Sequence, residues 1–211
     1  MEVYQVVTGD VRDSAKMPPK RRLQLRRAFD YLAEKSLGKY EYFIRGDNFQ
    51  ILLRENALYE CICLKTYLHS KLMVQVRVSV GIGEVGLINE RVSDSDGEAF
   101  WYSGRALEEM KSKDQWTRIV TARADINDEW EVHTATLDYL ESDRTAHQSE
   151  ALYWTLRNET QSGIAKRLGI SQPSVHSRIK GAGWPLIEKI LHRYDQIQTI
   201  LSNQTDHAAV V

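Results

Sequence analysis

Two glycine–aspartate pairs stand where apolar runs of the chain stop. Gly9-Asp10 closes "VYQVVTGD", and Gly46-Asp47 separates "YEYFI" from "NFQILL". Either pair alone reads as a turn, since Gly and Asp both suit turn backbones. If the first strand lies beside the hairpin strands, however, Asp10 and Asp47 meet at one sheet edge. Two close carboxylates repel unless a divalent cation neutralises them. Oxygen-only ligation suits Mg²⁺ or Mn²⁺, with a nucleoside triphosphate supplying the remaining ligands. The loop after Asp10 can offer backbone N–H groups to phosphate at Val11, Asp13 and Ser14, although Asp13 and Ser14 equally suit capping of the turn. Further on, "DGEAFWYSGR" brings Arg105 onto a helix, where a guanidinium can face a transferring phosphoryl group.

The elements that must position these residues are legible from patterning. "VYQVVTG" is a short buried strand stopped by glycine. Pro18-Pro19 suits a helix start, and the helix that follows carries Leu23, Phe29 and Leu32 on one side with Arg21, Arg22, Arg26 and Arg27 on the other. The Gly-Asp hairpin comes next, then the long apolar helix "NALYECICLKTYLHSKL". In "VQVRVSVGIGEV" the valines 76, 78 and 80 alternate with polar residues, which predicts a strand. A polar loop, a helix beginning near Glu98 and the strand "TRIVTA" complete the series. Phe100, Trp101 and Tyr102 are expected to pack that helix start. The order β-α-β-β-α-β, extended by a helix and a strand, predicts an α+β fold: a ferredoxin-like, palm-type domain over residues 1–140. Residues 141–149, "ESDRTAHQS", lack large apolar side chains and are expected as a linker.

The C-terminal part carries the most specific local pattern. In "TQSGIAKRLGISQPSVHSRI", Ile164, Ala165, Leu168, Gly169, Ile170, Val175 and Ile179 fill the offsets of a helix-turn-helix. Ser171 is a fitting N-cap, and Pro173 falls in the first turn. This predicts a small all-α domain over residues 150–200, with 201–211 as a flexible tail. Gln172, Ser174, His176, Ser177, Arg178 and Lys180 then occupy the exposed side, residue types that read grooves and contact phosphates. Seven bases against three acids between Ser149 and Tyr194 make this segment about four charges positive, and the remainder of a chain of net charge −1 about five negative. A basic tail beside an acidic body fits contact of the tail with double-stranded DNA. A helical protein-interaction module would use the same internal packing.

A chain of 211 residues with 28 basic and 29 acidic side chains has the length and balance of a globular protein. No apolar run approaches the roughly 20 residues that span a bilayer, and the N-terminal residues lack a signal-peptide pattern; a cytoplasmic location is the expectation. Cys61 and Cys63 diverge on a helix, which predicts two buried thiols.

Asp10, Gly46-Asp47, and Gly97 followed eight residues later by Arg105 resemble the pattern of class III nucleotidyl cyclases. That resemblance implies Asp10 and Asp47 as metal ligands and Arg105 as a transition-state residue. Trp101 stands where that family has Asn, and Phe43 where it has its purine-selecting Lys. The motifs "TGDVRDS", "GDNFQILL", "VRVSVGIGEV", "SDGEAFWYSGRALEEMK" and "TQSGIAKRLGISQPSVHSRIKGAGW" resemble, in that order, the bacterial SatD family; Asn48 stands where that family more often has Glu. The resemblance implies a cytoplasmic palm-like domain joined to a DNA-binding-like tail. Three readings follow. In the first, a regulator binds DNA by its tail and a nucleoside triphosphate or cyclic nucleotide, with Mg²⁺ or Mn²⁺, by its palm. In the second, a metal-dependent cyclase or polymerase-like enzyme uses Asp10 and Asp47. In the third, a DNA-binding protein has a palm that serves only to form a homodimer.

Overall fold

The computed structural model describes residues 2–36, 38–42 and 47–208, the last seven by their backbone. Phe43 and the hairpin glycine, Gly46, lie outside the described residues. The chain runs β1 (Val3–Val11), α1 (Pro19–Lys35), β2 (Lys39–Tyr42), β3 (Asn48–Leu53), α2 (Ala57–Leu72), β4 (Val76–Leu87), β5 (Asp96–Gly97), α3 (Glu98–Lys111), β6 (Thr117–Val120) and then five helices. These are α4 (Ala124–Ser142), α5 (Ala146–Leu156), α6 (Gln161–Leu168), α7 (Gln172–Gly181) and α8 (Trp184–Ala208). The sheet order is β2-β3-β1-β4-β5, with β6 joined in parallel to β4 and the other pairs antiparallel. β1 therefore lies between β3 and β4, an arrangement that delivers Asp10 beside both.

Alternation along the strands sorts their side chains onto two faces. Val7, Val11, Val76, Val78 and Val80 face α1 and α2 in the main core. On α1 the buried residues are Leu25, Ala28, Phe29 and Leu32. Leu23, expected on the core side, is instead 51% exposed; two residues along a helix is about 200° of rotation, and Leu25 takes the core position. The opposite sheet face carries a smaller apolar cluster of Tyr4, Val6, Leu52 and Val85, followed along the strands by polar residues. A Cβ on Gly81 would stand 2.1 Å from the Ala99 carbonyl oxygen, so glycine there lets α3 reach backbone contact. Ser103 then meets Thr8 at 2.8 Å, and the Ser79 hydroxyl donates to the Ser103 carbonyl at 2.6 Å.

The tail helices continue the palm's core. Trp130 and Leu137 of α4, Leu152 and Tyr153 of α5, and Ile187 and Tyr194 of α8 join the same apolar cluster as the sheet valines. Residues 141–149 form the end of α4, a short turn and the start of α5, with Arg144 and Ser149 buried. Gln5 of β1, 2% exposed, accepts from the Ala57 N–H at the start of α2 and from the Tyr194 hydroxyl, and donates to Gln198 of α8. Cys61 and Cys63 are buried free thiols; burial pushes the Cys63 thiol up to about 12 and keeps it protonated at neutral pH. Among the described residues, no helix is long and apolar enough to cross a membrane.

Ala151, Ile164, Val175 and Ile179 form a smaller core that locks α6 against α7. The turn between them opens on Gly169, whose φ of +65° lies in the left-handed region that glycine adopts freely. Thr160 caps α6 by accepting from the Gly163 N–H, and Ser171 caps α7 by accepting from the Ser174 N–H.

Candidate functional site

The register of β1 pairs Asp10 with Asn48 of β3 on one side and with Arg77 of β4 on the other. Arg77 Nη1 lies 3.3 Å from Asp10 Oδ2, and both side chains are mostly buried. Burial raises the Asp10 pKa; Arg77 opposes the rise, and the nearby Asp47 charge adds to it. Arg77 is itself held by the Gln115 carbonyl and by the Trp116 ring, 5.5 Å from its guanidinium, while Arg12 approaches the same ring at 5.0 Å. Asp10 is thus a carboxylate with a cation beside it, near the charges of Lys111 and Glu108 on α3.

Asp47 precedes β3 and meets the loop that follows β1. Its Oδ2 accepts from the Ser14 hydroxyl at 2.6 Å. The two groups open onto a hollow of about 550 Å³ lined also by Met17, Arg22, Leu23, Leu25 and Arg26. Arg22 holds the loop in place by donating to the carbonyls of Ala15 and Met17. A second hollow of about 380 Å³ lies on the other side of the loop, bordered by Arg12, Lys16, Arg21 and Gln75. The loop therefore stands between two basic margins.

The expected site residues do not all converge. Val11 is buried and in register with Val76, so its side chain belongs to the core. Asp13 takes φ +54° and turns outward to Lys16 and Arg12, whose charges lower its pKa, the Lys16 hydrogen bond contributing most. Ser14 alone of the three reaches Asp47. Arg105 lies elsewhere: it pairs with Glu109 at 3.0 Å, covers Trp101 at 5.3 Å, and lines a separate hollow with Tyr102 and Arg118. Phe100 packs the small core over this sheet face, whereas Trp101 is 57% exposed. The tail residues Gln172, Ser174, His176, Ser177 and Lys180 are exposed on α7, and Arg178 is half-buried.

Sequence reasoning did not single out Arg77, and it gave the arginines of α1 no role. A signal for Arg77 exists in "VQVRVSV": a charged residue on the face opposite the core valines needs a partner once a helix covers that face. Its partner Asp10 is 67 residues away, and only the register reveals the pairing.

Among the described residues, no group of three or more His, Cys, Asp or Glu side chains could hold a metal ion. Mg²⁺ does not need such a cage, because it commonly takes one or two carboxylates with substrate phosphates and water. Asp47, hydrogen-bonded to a hydroxyl at the margin of the hollow, fits that role; Asp10 already has a cation beside it.

No protein-family model and no curated protein sequence matches the chain. Among solved structures it is similar to a bacterial light-regulated adenylyl cyclase, with 14% identity over 56% of this chain and 75% of that one and a TM-score of 0.39. It is also similar to a microbial GGDEF domain described with bis-(3′,5′)-cyclic di-GMP, with 16% identity over 57% and 77% and a TM-score of 0.40. At these scores the likeness transfers neither ligand nor activity to this chain.

Proposed function

We propose that the palm end built from Asp10, the loop after it and Asp47 binds a nucleoside polyphosphate together with Mg²⁺ or Mn²⁺. The observation that carries this reading is the 550 Å³ hollow in which the Ser14–Asp47 pair, Arg22 and Arg26, and the apolar Met17, Leu23 and Leu25 face one another. Its volume lies in the range that encloses a small ligand. The guanidinium groups would take phosphate oxygens in pairs, the apolar side would take the base, and Asp47 would supply an oxygen to the cation. Arg77 would keep Asp10 from repelling the phosphates. Asp47 would hold the cation, whose chemistry there would be neutralisation of phosphate charge.

The second part of the reading is that α7 contacts double-stranded DNA, making the protein a nucleotide-responsive regulator. It is favoured by the polar, exposed side of a helix locked from behind by Val175 and Ile179. Because α2 and the tail helices share one core, a ligand could act on DNA binding only by favouring one arrangement of that core over another. The enzymatic alternative needs Arg105 at the phosphoryl group; with Arg105 in a separate hollow, a second copy of the chain would have to supply it.

Thermal-shift measurements with ATP, GTP, CTP, UTP and cyclic nucleotides, each with Mg²⁺ or Mn²⁺, test the palm site. At a hundredfold its Kd a ligand adds about 2.7 kcal/mol of stability, and the shift should vanish in Asp47→Ala. No shift with any of them would overturn the site. Product formed from a triphosphate would move the reading to the enzyme. Binding of duplex DNA that falls with salt and with Arg178→Ala plus Lys180→Ala is expected; no duplex binding at low salt would remove the DNA part.

A further inference from the structure

Trp101 is the anomaly of α3. Ala99, Ala106, Leu107 and Met110 of that helix are buried, yet its largest side chain stands 57% exposed. The ring is not left to wander: Tyr102 meets it edge-on, with centroids 5.4 Å apart, and the Arg105 guanidinium lies over it. One turn further on, Glu109 accepts from Arg105 at 3.0 Å and from Arg118 of β6 at 2.7 Å. These hydrogen bonds hold Glu109 below the usual carboxylate range, so it stays charged and fixes both arginines. The result is an aromatic platform beside two guanidinium groups and one carboxylate, a net single positive charge, around a hollow of about 350 Å³.

We propose that this hollow between α3 and β6 is a second ligand site, for a nucleobase carrying its phosphate, separate from the palm-end site proposed above. An exposed indole offers a stacking face to any base. Glu109 occupies one donor of each arginine, and the planar forks of both retain other N–H groups suited to phosphate oxygens. A purely apolar partner would leave two charged arginines facing it, and a simple anion would leave the indole unused; a nucleotide uses both. Glu109 is a positioning residue, acting through the arginines. The nucleotide chemistry could come from a free mononucleotide or from a nucleic-acid strand.

The test is fluorescence polarisation of the full chain without divalent metal. One arm uses N-methylanthraniloyl-labelled AMP and GMP as probes, and the other uses fluorescein-labelled dT12. Trp101→Ala and Arg118→Ala should each weaken binding about tenfold, and Trp101→Phe should keep it within about threefold because a stacking face remains. Tyr139→Ala, which removes an exposed ring of α4 outside both hollows, should leave binding unchanged. A response in the mononucleotide arm assigns a free nucleotide, and a Trp101-dependent response confined to the dT12 arm assigns a strand. Trp101 is exposed, so its variants should melt with the wild type. Equal binding by Trp101→Ala, or loss only in Asp47→Ala, would overturn the proposal. So would a change of assembly size in Trp101→Ala with nucleotide affinity unchanged, which would make the surface an interface between copies.

Discussion

Two charged clusters of this molecule are made from the same residue types and serve different ends. Between α2, α4 and β6, Lys65 is 4% exposed and lies 2.7 Å from Glu141 and 4.0 Å from Asp138. Its ammonium also donates to Thr117 Oγ1 and the Trp116 carbonyl, while Asp138 Oδ2 accepts from the Trp116 and Thr117 N–H groups. Burial raises the Asp138 carboxyl, and Lys65 opposes that rise. At the palm end, Asp10 has its arginine, whereas among the described residues Asp47 meets the Ser14 hydroxyl and opens onto the hollow. A carboxylate enclosed by donors is part of the framework. One that meets a single neutral donor at the margin of a cavity has capacity left for a ligand. Enclosure by donors, more than charge itself, separates the two.

The strongest way to break this comparison is Lys65→Met. Removing the cation leaves the mostly buried Glu141 without its ion-pair partner and Asp138 with its backbone donors alone, an expected loss of about 3–5 kcal/mol in urea unfolding. Adding Glu141→Leu should recover much of it, because the uncompensated charge goes too. Arg77→Ala should cost less, about 1–3 kcal/mol, since Asp10 keeps some contact with water. Its sign with pH is informative. The Asp10 pKa is already raised, so the protonated form is the one the fold favours; the variant should match wild type best in acid and fall behind as pH rises through the Asp10 pKa. Unfolding followed from about pH 3, below the ordinary aspartate value of about 3.9, up to about pH 8 reads this.

Asp47→Ala should change stability by less than about 0.5 kcal/mol while abolishing metal-dependent nucleotide stabilisation. If it destabilises as Lys65→Met does, the two clusters are alike and the palm-end reading fails. The smallest effect belongs to Glu129 of α4, bonded to Arg193 of α8 at 2.6 Å and held below its ordinary 4.5 chiefly by that hydrogen bond. Its contribution is present above 4.5 and lost as pH falls through the depressed value. The loss should disappear in Glu129→Gln and shrink in high salt, because the pair is solvent-screened.

Local chemistry was legible where it repeats. The valine alternation of β4, the β-α-β-β-α-β order and the offsets of α6 and α7 are read from spacing alone, because each depends on neighbours a few residues away. The Ser14–Asp47 contact lies within the reach of the expected carboxylate edge. Contacts set by distant partners were not legible. The segment expected as a linker looks polar, yet Glu141 finds Lys65 on α2 and Ser149 bonds to His69, both through packing of distant helices. Leu23 and Leu25 are equally apolar, and only the placement of the sheet decides which turns inward. Trp101 was read as packing because tryptophan usually packs; its exposure depends on Gly81 drawing α3 so close that Phe100 and Ala99 take the available space.

The buried Gln5 has a consequence for synthesis. Its carboxamide is completed by Tyr194 and Gln198, which follow it by 189 and 193 residues. A ribosome adding about 5–20 residues per second leaves that amide without these two partners for roughly 10–40 s after β1 is made. During this interval α2 and α4 lack the helix that packs on them, and the core residues that will join Ile187 and Tyr194 remain open to chaperones and proteases. The first strand is thus among the last parts of the molecule to be finished.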